Sequence, residues 1–362
     1  MLLLNEHAIL HKMAFNSNKL IFTGKIAATL ENKLEEASFS SLYLLVDNNT
    51  KQYCLPLIKD VLPEGCQIIE ITAGEENKTL ATCEHIWQKL TDTHADRHAL
   101  VVNLGGGVIC DMGGFCARIY KRGIQFWNIP TTLLSQVDAS VGGKLGIDFG
   151  VYKNQLGLFS DPDLVFVDST FFATLPYAEL LSGFAEMVKH ALIKDREMFF
   201  ELKNQDLGSL NWQEWIARSV AIKNNVVAKD PKESSLRKIL NFGHTIGHAV
   251  ESFYLIKPNP LKHGEAIAIG MIAETFLSTS KGLLPGQDRD EIIPYLVDTF
   301  PFYDIQENEL EAIIKLALQD KKNKNGQINA VLLNEIGKAK YDIPISEEDI
   351  REALLYYRHL TK

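Results

Sequence analysis

Along the first half of the chain, short apolar runs alternate with stretches of helical period. SLYLLVD (41–47) predicts a strand that ends in an Asp47-Asn48-Asn49 turn, CQIIEITAG (66–74) a second, HALVVNLGG (98–106) a third and VFVD (165–168) a fourth. The third has the continuous Val/Leu content of a strand covered on both faces. A helix is expected over about 79–94, after the polar EENKT. Strands alternating with helices predict a mostly parallel sheet with helices on both sides. From about Pro176 the apolar period moves to that of a helix, in LLSGFAEMVKHALI, WIARSVAIKNNVVAK, GEAIAIGMIAETFLS and ELEAIIKLALQD. The expected architecture is therefore an α/β N-terminal domain over 1–175 and an all-α C-terminal domain over 176–362, with the break at TLP. No repeat, low-complexity tract or long linker separates them, so close packing is expected, with the cleft between domains as the default ligand site.

Composition narrows the classes. At 362 residues two domains are the natural expectation. A net charge of -9, from 37 Lys plus Arg against 46 Asp plus Glu, argues against general nucleic-acid binding. No apolar run approaches the roughly 20 residues that span a bilayer. MLLLNEHAILHKMAF lacks the basic start and small-residue cleavage site of a signal peptide. The cysteines Cys54, Cys66, Cys83, Cys110 and Cys116 show no CxxC spacing, which fits reduced thiols in the cytoplasm.

Candidate chemistry is densest between Gly105 and Asn154. LVVNLGGGVICD reads as strand, glycine turn and helix, with Gly105, Gly106 and Gly107 at the turn and Asp111 just inside the helix. A helix start after such a turn offers free N–H groups and a positive dipole end to a pyrophosphate. The spacing is not GxGxxG, so the Rossmann fingerprint is absent. Arg118, Lys121 and Arg122 follow, then a PTT turn at Pro130, then Asp138, Lys144, Lys153 and Asn154. In an acidic chain, cations beside glycines suggest a ligand carrying phosphate or carboxylate. Two further strand ends carry polar groups: Asp47, placed to accept from a ribose hydroxyl, and Glu75 with Lys78.

The helical half supplies candidate metal ligands. NFGHTIGHAVE puts His244 and His248 four apart on one helical face, HGEAIAIGM supplies His263, and SGFAEMVKH supplies Glu186 and Lys189. Two histidines and a carboxylate with an open position make a catalytic zinc shell. Gly243, Gly247 and Gly264 flank the histidines and are expected to leave room for a ligand. HTIGH lacks the glutamate of HExxH, which weighs against a metalloprotease. His85, His94, His98 and His359 have no such surroundings and are expected at the surface. Lys144, Lys153, Lys189, Lys223, Arg237 and the pair Lys321 and Lys322 would together suit a substrate bearing both phosphate and carboxylate.

PTTLLSQVDASVGGK, KNQLGLF, SGFAEMVKH, LNFGHTIGHAVE, HGEAIAIGM and DKKNKNG…VLLNEIGKA, in this order over roughly 40–340, resemble the 3-dehydroquinate synthase family. The resemblance implies an N-terminal dinucleotide-binding domain, a helical metal- and substrate-binding domain, NAD, one divalent metal (zinc, or cobalt) and a cytoplasmic homodimer. The implied partner is a small anionic sugar phosphate, 3-deoxy-D-arabino-heptulosonate 7-phosphate, converted to 3-dehydroquinate and phosphate by transient oxidation, phosphate elimination, re-reduction and aldol closure. No nucleic acid or membrane partner is implied. Carried over by position, the metal ligands would be Glu186, His244 and His263. NAD would draw on Asp47, Asn49, Glu75, Lys78, Gly106, Gly107, Asp111, Thr131, Thr132, Lys153 and Thr174. Substrate contacts would be Arg122, Asp138, Lys144, Asn154, Lys189, Lys223, Arg237, Asn241, His248 and one of Lys321 or Lys322. Glu233 and His248 would be the proton-transfer groups, with Lys144, Lys189 and Asn154 at the reacting centre. Asp148 and Leu145 stand where the family often has Asn and Thr, and Tyr177-Ala178 also departs from the common pattern; these bear on loop geometry.

Two rivals share the expected fold. A metal-dependent alcohol or glycerol dehydrogenase needs neither VDASVGGK nor the extra lysines. A cyclase of secondary metabolism acts on substrates without the carboxylate, whereas Arg237 with the intact VGGK favours a substrate that has one. A nucleotide-binding module without turnover would bind NAD and no metal.

Overall fold

A computed structural model of the chain describes residues 19–139, 142–150, 152–255, 257–318 and 328–360. The first half runs β1 (Leu20–Phe22), α1 (Ile26–Glu36), β2 (Leu42–Asp47), α2 (Asn48–Tyr53), β3 (Gln67–Ile71), α3 (Leu80–Asp92), β4 (Leu100–Gly105), α4 (Gly107–Ile119), β5 (Gln125–Pro130), β6 (Lys144–Phe149), β7 (Tyr152–Phe159) and β8 (Leu164–Val167). The second runs α5 (Tyr177–Lys194), α6 (Arg196–Lys203), α7 (Trp212–Lys229), α8 (His244–Tyr254), α9 (His263–Ser280), α10 (Gly286–Thr299), α11 (Leu310–Leu318), β9 (Ile328–Glu335), β10 (Lys338–Ile345) and α12 (Glu347–Arg358).

The chain divides into two compact units, Met1–Pro176 with Asn211–Asn224, and Tyr177–Leu210 with Asn225–Lys362. A single boundary after 175 therefore misses a return: the start of α7, Lys223 included, belongs to the first unit. Trp212 there sets its ring edge-on to Phe172, and Gln213 Nε2 donates to Val167 O at 3.3 Å.

In the first unit six strands form one parallel sheet in the order β1-β8-β5-β4-β2-β3. Side chains alternate between two cores. Tyr43, Leu45 and Val101 face α3 and α4, while Leu42, Leu44, Val46 and Val102 face α1 and the Cys54–Ile58 turn. Burial on both faces is what the unbroken apolar runs require. The chain leaves β2 for β3 on one side and β4 for β5 on the other, so the order reverses between β2 and β4. The crevice outside the carboxyl ends at such a reversal is where open α/β sheets bind ligands. The expected strands are all present; β1 and β5 are additional. QFWNIP hides its strand because Asn and Pro interrupt the apolar run. The parallel sheet is joined by an antiparallel hairpin, β6 with β7, that packs on α4.

The second unit is built around α9, which is buried almost throughout and packs against α5, α8, α10, α12 and β9. A helix apolar on all sides belongs at the centre of a bundle. The helical expectation holds with one addition, the antiparallel pair β9 and β10. Its turn was legible in the sequence: Ile336-Gly337 separates two β-rich runs, and Gly337 has φ +91. Among the described residues, no helix is long and apolar enough to cross a membrane.

Candidate active site

Register brings the strand ends level. Gly105 pairs with Pro130, and Thr131 N–H extends the ladder to Gly105 O at 3.0 Å. Gly106 is the N-cap of α4, and a Cβ on it would come within 3.3 Å of the Thr132 methyl. Gly107 opens the same helix. Asp47 ends β2, Glu75 opens the turn after β3, and Thr174 closes the turn after β8. One edge of the parallel sheet thus gathers Asp47, Glu75, Gly106, Thr131, Thr132 and Thr174. Asn49 stands exposed in the first turn of α2. Asp47 also serves the fold, since its Oδ1 accepts from Thr50 N–H at 2.7 Å and caps α2.

Beside this edge, Lys78 is buried and donates to Asp111 Oδ2 at 2.7 Å and Asn154 Oδ1 at 2.8 Å. Burial opposes its charge, but Asp111, Glu75 and Asp148 outweigh that and hold its ammonium above the usual lysine range. Burial also pushes the Asp111 carboxyl up, toward protonation, while Lys78 pulls it down; the short contact favours the ionised pair. Asp148 shapes this group. Its N–H donates to Lys78 O at 2.8 Å, and its Oδ1 accepts Asn154 N–H at 2.6 Å. That contact supports Asn154 at φ +49. Lys153 precedes it, half-buried, and Lys144 opens β6, exposed.

Lys223, buried on α7, pairs with Asp138 Oδ1 at 2.7 Å and donates to the Asp138 carbonyl. Arg122 is elsewhere. It is exposed in the turn after α4, just before β5 begins, at the amino edge of the sheet. The 13-residue α4 sets it about 20 Å from the glycine turn. The helix Gly107–Ile119 runs between the two. Lys321 and Lys322 lie outside the described residues.

In the second unit, α5, α8 and α9 bring Glu186, His244 and His263 together. Glu186 Oε1 lies 3.5 Å from His244 Nε2 and 3.6 Å from His263 Nε2. Ligands about 2.0–2.1 Å from a tetrahedral zinc stand roughly 3.3 Å apart, so the spacing suits an ion among them. Both imidazoles are oriented from behind: His244 Nδ1 lies 3.0 Å from Phe242 O, and His263 Nδ1 lies 3.3 Å from Glu251 Oε2. In the neutral ring, a proton on the held Nδ1 leaves Nε2 as the acceptor nitrogen, as metal-binding histidines require. Burial works against charge on His263, yet Glu186 and Glu251 outweigh it and push its imidazole up to about 10. The pocket thus calls for a cation. The donor set of two nitrogens and one carboxylate oxygen fits a divalent metal of the zinc type. His248 sets its ring edge-on to His244 and tilted to His263, with ring centroids at 4.9 and 5.9 Å, but groups with Glu251 and His263 rather than with Glu186. Lys189 is buried and ion-paired with Glu186.

The glycines beside these histidines do not leave ligand space. A Cβ on Gly243 or Gly247 would meet α9, and one on Gly264 would come within 2.3 Å of Ser182 Cα. They let helices approach closely and so bring the ligands together.

The 230–241 segment leads into α8. Asn241 Nδ2 donates to Glu233 Oε1 at 2.7 Å, and buried Arg237 donates to Pro231 O at 2.7 Å. Its organiser is Asp230, absent from the expected residues. It is buried and accepts from Ser234 and Ser235, through both backbone and hydroxyl, and from Arg237 N–H. Burial resists its charge, but these donors hold the carboxyl well below the usual range. The Asp-Pro before a Ser-Ser pair was a turn signal. Glu251 was also missed; it lies one helical turn beyond the His244/His248 face.

A solved structure shares this fold over 93% of the chain and 96% of its own length, with TM-score 0.83 and 25% identity: 2-epi-5-epi-valiolone synthase from Streptomyces hygroscopicus subsp. jinggangensis, with NAD+ and Zn2+ bound. The fold is thus that of the sugar-phosphate cyclases. Family models described as 3-dehydroquinate synthase N-terminal and C-terminal match residues 68–182 and 183–323. The 3-dehydroquinate synthase of Parabacteroides distasonis is 38% identical over 95% of this chain and 98% of its own, and that of Campylobacter concisus 43% over 80% and 84%. The chain belongs to the 3-dehydroquinate synthase family.

Proposed function

We propose that the chain acts as a phosphate-eliminating lyase and cyclase on 3-deoxy-D-arabino-heptulosonate 7-phosphate, giving 3-dehydroquinate and phosphate. The observation that carries the reading is the convergence of Glu186 Oε1 with His244 Nε2 and His263 Nε2 at 3.5 and 3.6 Å, both rings oriented from behind. These three residues would hold a divalent metal, zinc or cobalt, which supplies a Lewis acid for a substrate hydroxyl. NAD would be held by Asp47, Asn49, Glu75, Lys78, Gly106, Gly107, Asp111, Thr131, Thr132, Lys153 and Thr174, and supplies reversible oxidation without net redox change.

The chain's own residues do the rest. Phosphate leaves from C7, so the proton to be removed is on C6, and cations must meet the developing negative charge. Lys144, Lys189, Lys223 and Arg237 fill that role, with Asp138, Asn154 and Asn241 orienting hydroxyls. Lys189 brings its charge already fixed by Glu186, and Arg237 brings a guanidinium already tied to Pro231 O. Such preorganised charge needs no reorientation during reaction. His248 is half-buried beside the metal ligands and moves a proton to or from the substrate; Glu233, held by Asn241, is the second proton carrier. The working form in this reading is a cytoplasmic homodimer; five free thiols support a reducing compartment.

The test is incubation with the heptulosonate phosphate, zinc and catalytic NAD+ while phosphate release is followed. Release should exceed the NAD+ supplied many times over. One NADH formed per substrate would instead mark a dehydrogenase.

A further inference from the structure

His244 begins α8 and His263 begins α9, so the proposed metal centre depends on how these two helices are registered. Their backbones touch: a Cβ on Gly270 would lie 1.9 Å from Gly243 O and 2.7 Å from Gly247 N. One turn further along α9 is Glu274, which is fully buried at 0% exposure. Its Oε2 accepts Gly243 N–H at 2.6 Å, and its Oε1 accepts Thr245 N–H at 3.0 Å and Ile246 N–H at 3.2 Å. The first N–H groups of a helix have no intrahelical acceptor. An N-cap side chain normally serves them, but the N-cap here is Gly243, at φ +76, which has none. Glu274 supplies the missing acceptor from the neighbouring helix. The positive end of α8 offsets the cost of burying its charge.

We propose that Glu274 is a positioning residue for the metal centre: by binding the N–H groups on either side of His244, it ties that ligand to the helix that begins with His263. The inference rests on the metal-centre reading above. No contact of Glu274 with metal or substrate is involved; it acts through the α8 backbone.

Cobalt(II) titration of the apo-protein tests it, because the visible absorption of the bound ion reports ligand geometry independently of turnover. Wild type should bind one Co2+ per chain with a band that His244→Ala abolishes. Glu274→Gln keeps the shape but replaces one acceptor by a donor facing an N–H. It should bind Co2+ about 10–100-fold more weakly, the range seen when groups that orient metal ligands are removed, with a shifted band. Ser278→Ala is the control. Ser278 Oγ, also on α9, accepts Leu333 N–H at 2.9 Å and donates to Glu274 O at 2.6 Å. Its loss should lower the melting temperature and leave Co2+ affinity and band as in wild type. An unchanged affinity and band in Glu274→Gln would overturn the proposal, as would equal changes in the two variants, which would mark a merely structural role. If Glu274→Gln does not fold, Glu274→Asp, which keeps the charge on a shorter arm, decides by the same criteria. Failure of wild type to bind Co2+ would sink the metal-centre reading itself, and the proposal with it.

Discussion

His244 turns Nε2 toward Glu186 Oε1, 3.5 Å away, because its other nitrogen is held 3.0 Å from Phe242 O. The backbone two residues upstream thus selects which nitrogen faces the carboxylate. His248, four residues on, meets the same ring edge-on without joining that group. His244→Ala should therefore lose metal and activity together. His248→Ala should keep near-stoichiometric metal while activity falls steeply. Metal analysis of the purified variants checks this; equal metal loss in both would make His248 a ligand.

Glu251 holds His263 Nδ1 at 3.3 Å. Glu251→Gln leaves a hydrogen-bonding group in place but removes the charge that steadies the imidazole. Zinc affinity should fall about 10-fold or more. Competition with a chromophoric chelator measures it, and an unchanged affinity would separate Glu251 from the metal centre.

Lys78 is the shared donor of Asp111 and Asn154. Lys78→Met leaves Asp111 without its close cation in a largely buried setting, which should cost on the order of 3 kcal/mol of stability and abolish tight NAD binding. Urea unfolding and NAD titration read the two effects. The double variant Lys78→Met with Asp111→Leu should recover most of the stability and none of the binding.

Lys223 is buried against Asp138, whereas Lys51 pairs with Glu70 at the exposed surface. Lys223→Ala should lower kcat/KM on the order of 100-fold or more, since truncating a buried charge partner is costly. Lys51→Ala should leave it nearly unchanged, as exposed ion pairs contribute little. Similar effects in both would remove Lys223 from the reaction.

Asp230 is held below its ordinary carboxylate range by the 234–237 donors. A group depressed in the folded state contributes stability that is fully present above its unfolded value, about 3.9, and is lost as pH falls toward the folded one. Wild type should lose stability steeply below about pH 4. Asp230→Asn should be less stable at neutral pH and should lose less on acidification. Thermal midpoints between pH 7 and pH 3 test this; parallel profiles would assign the acid sensitivity elsewhere.

Much was legible along the chain because the underlying physics is local. Leu42–Asp47 and Leu100–Gly105 announce buried strands by unbroken apolar runs, and the GGG turn announces a helix start. Glu186, His244 and His263 stand out by their motifs. The place of Arg122 at the amino edge of the sheet was not legible, because separation along a sequence says nothing about which edge of a sheet a turn occupies. Asp230, Glu251 and Glu274 gave weak signals, because a buried carboxylate is recognised by its donors, and these come from other turns or other helices.

By itself the sequence determined the parallel sheet, the helical second half and the residue types of the metal cluster, since periodicity and motif spacing depend on near neighbours. Tertiary structure alone decided that Glu186 meets His244 and His263, that Lys78 joins Asp111 to Asn154, and that Glu274 caps α8 from α9. Those outcomes depend on hydrogen bonds between elements as much as 76 residues apart, as Lys78 and Asn154 are. Their directions exist only once the helices and strands have packed.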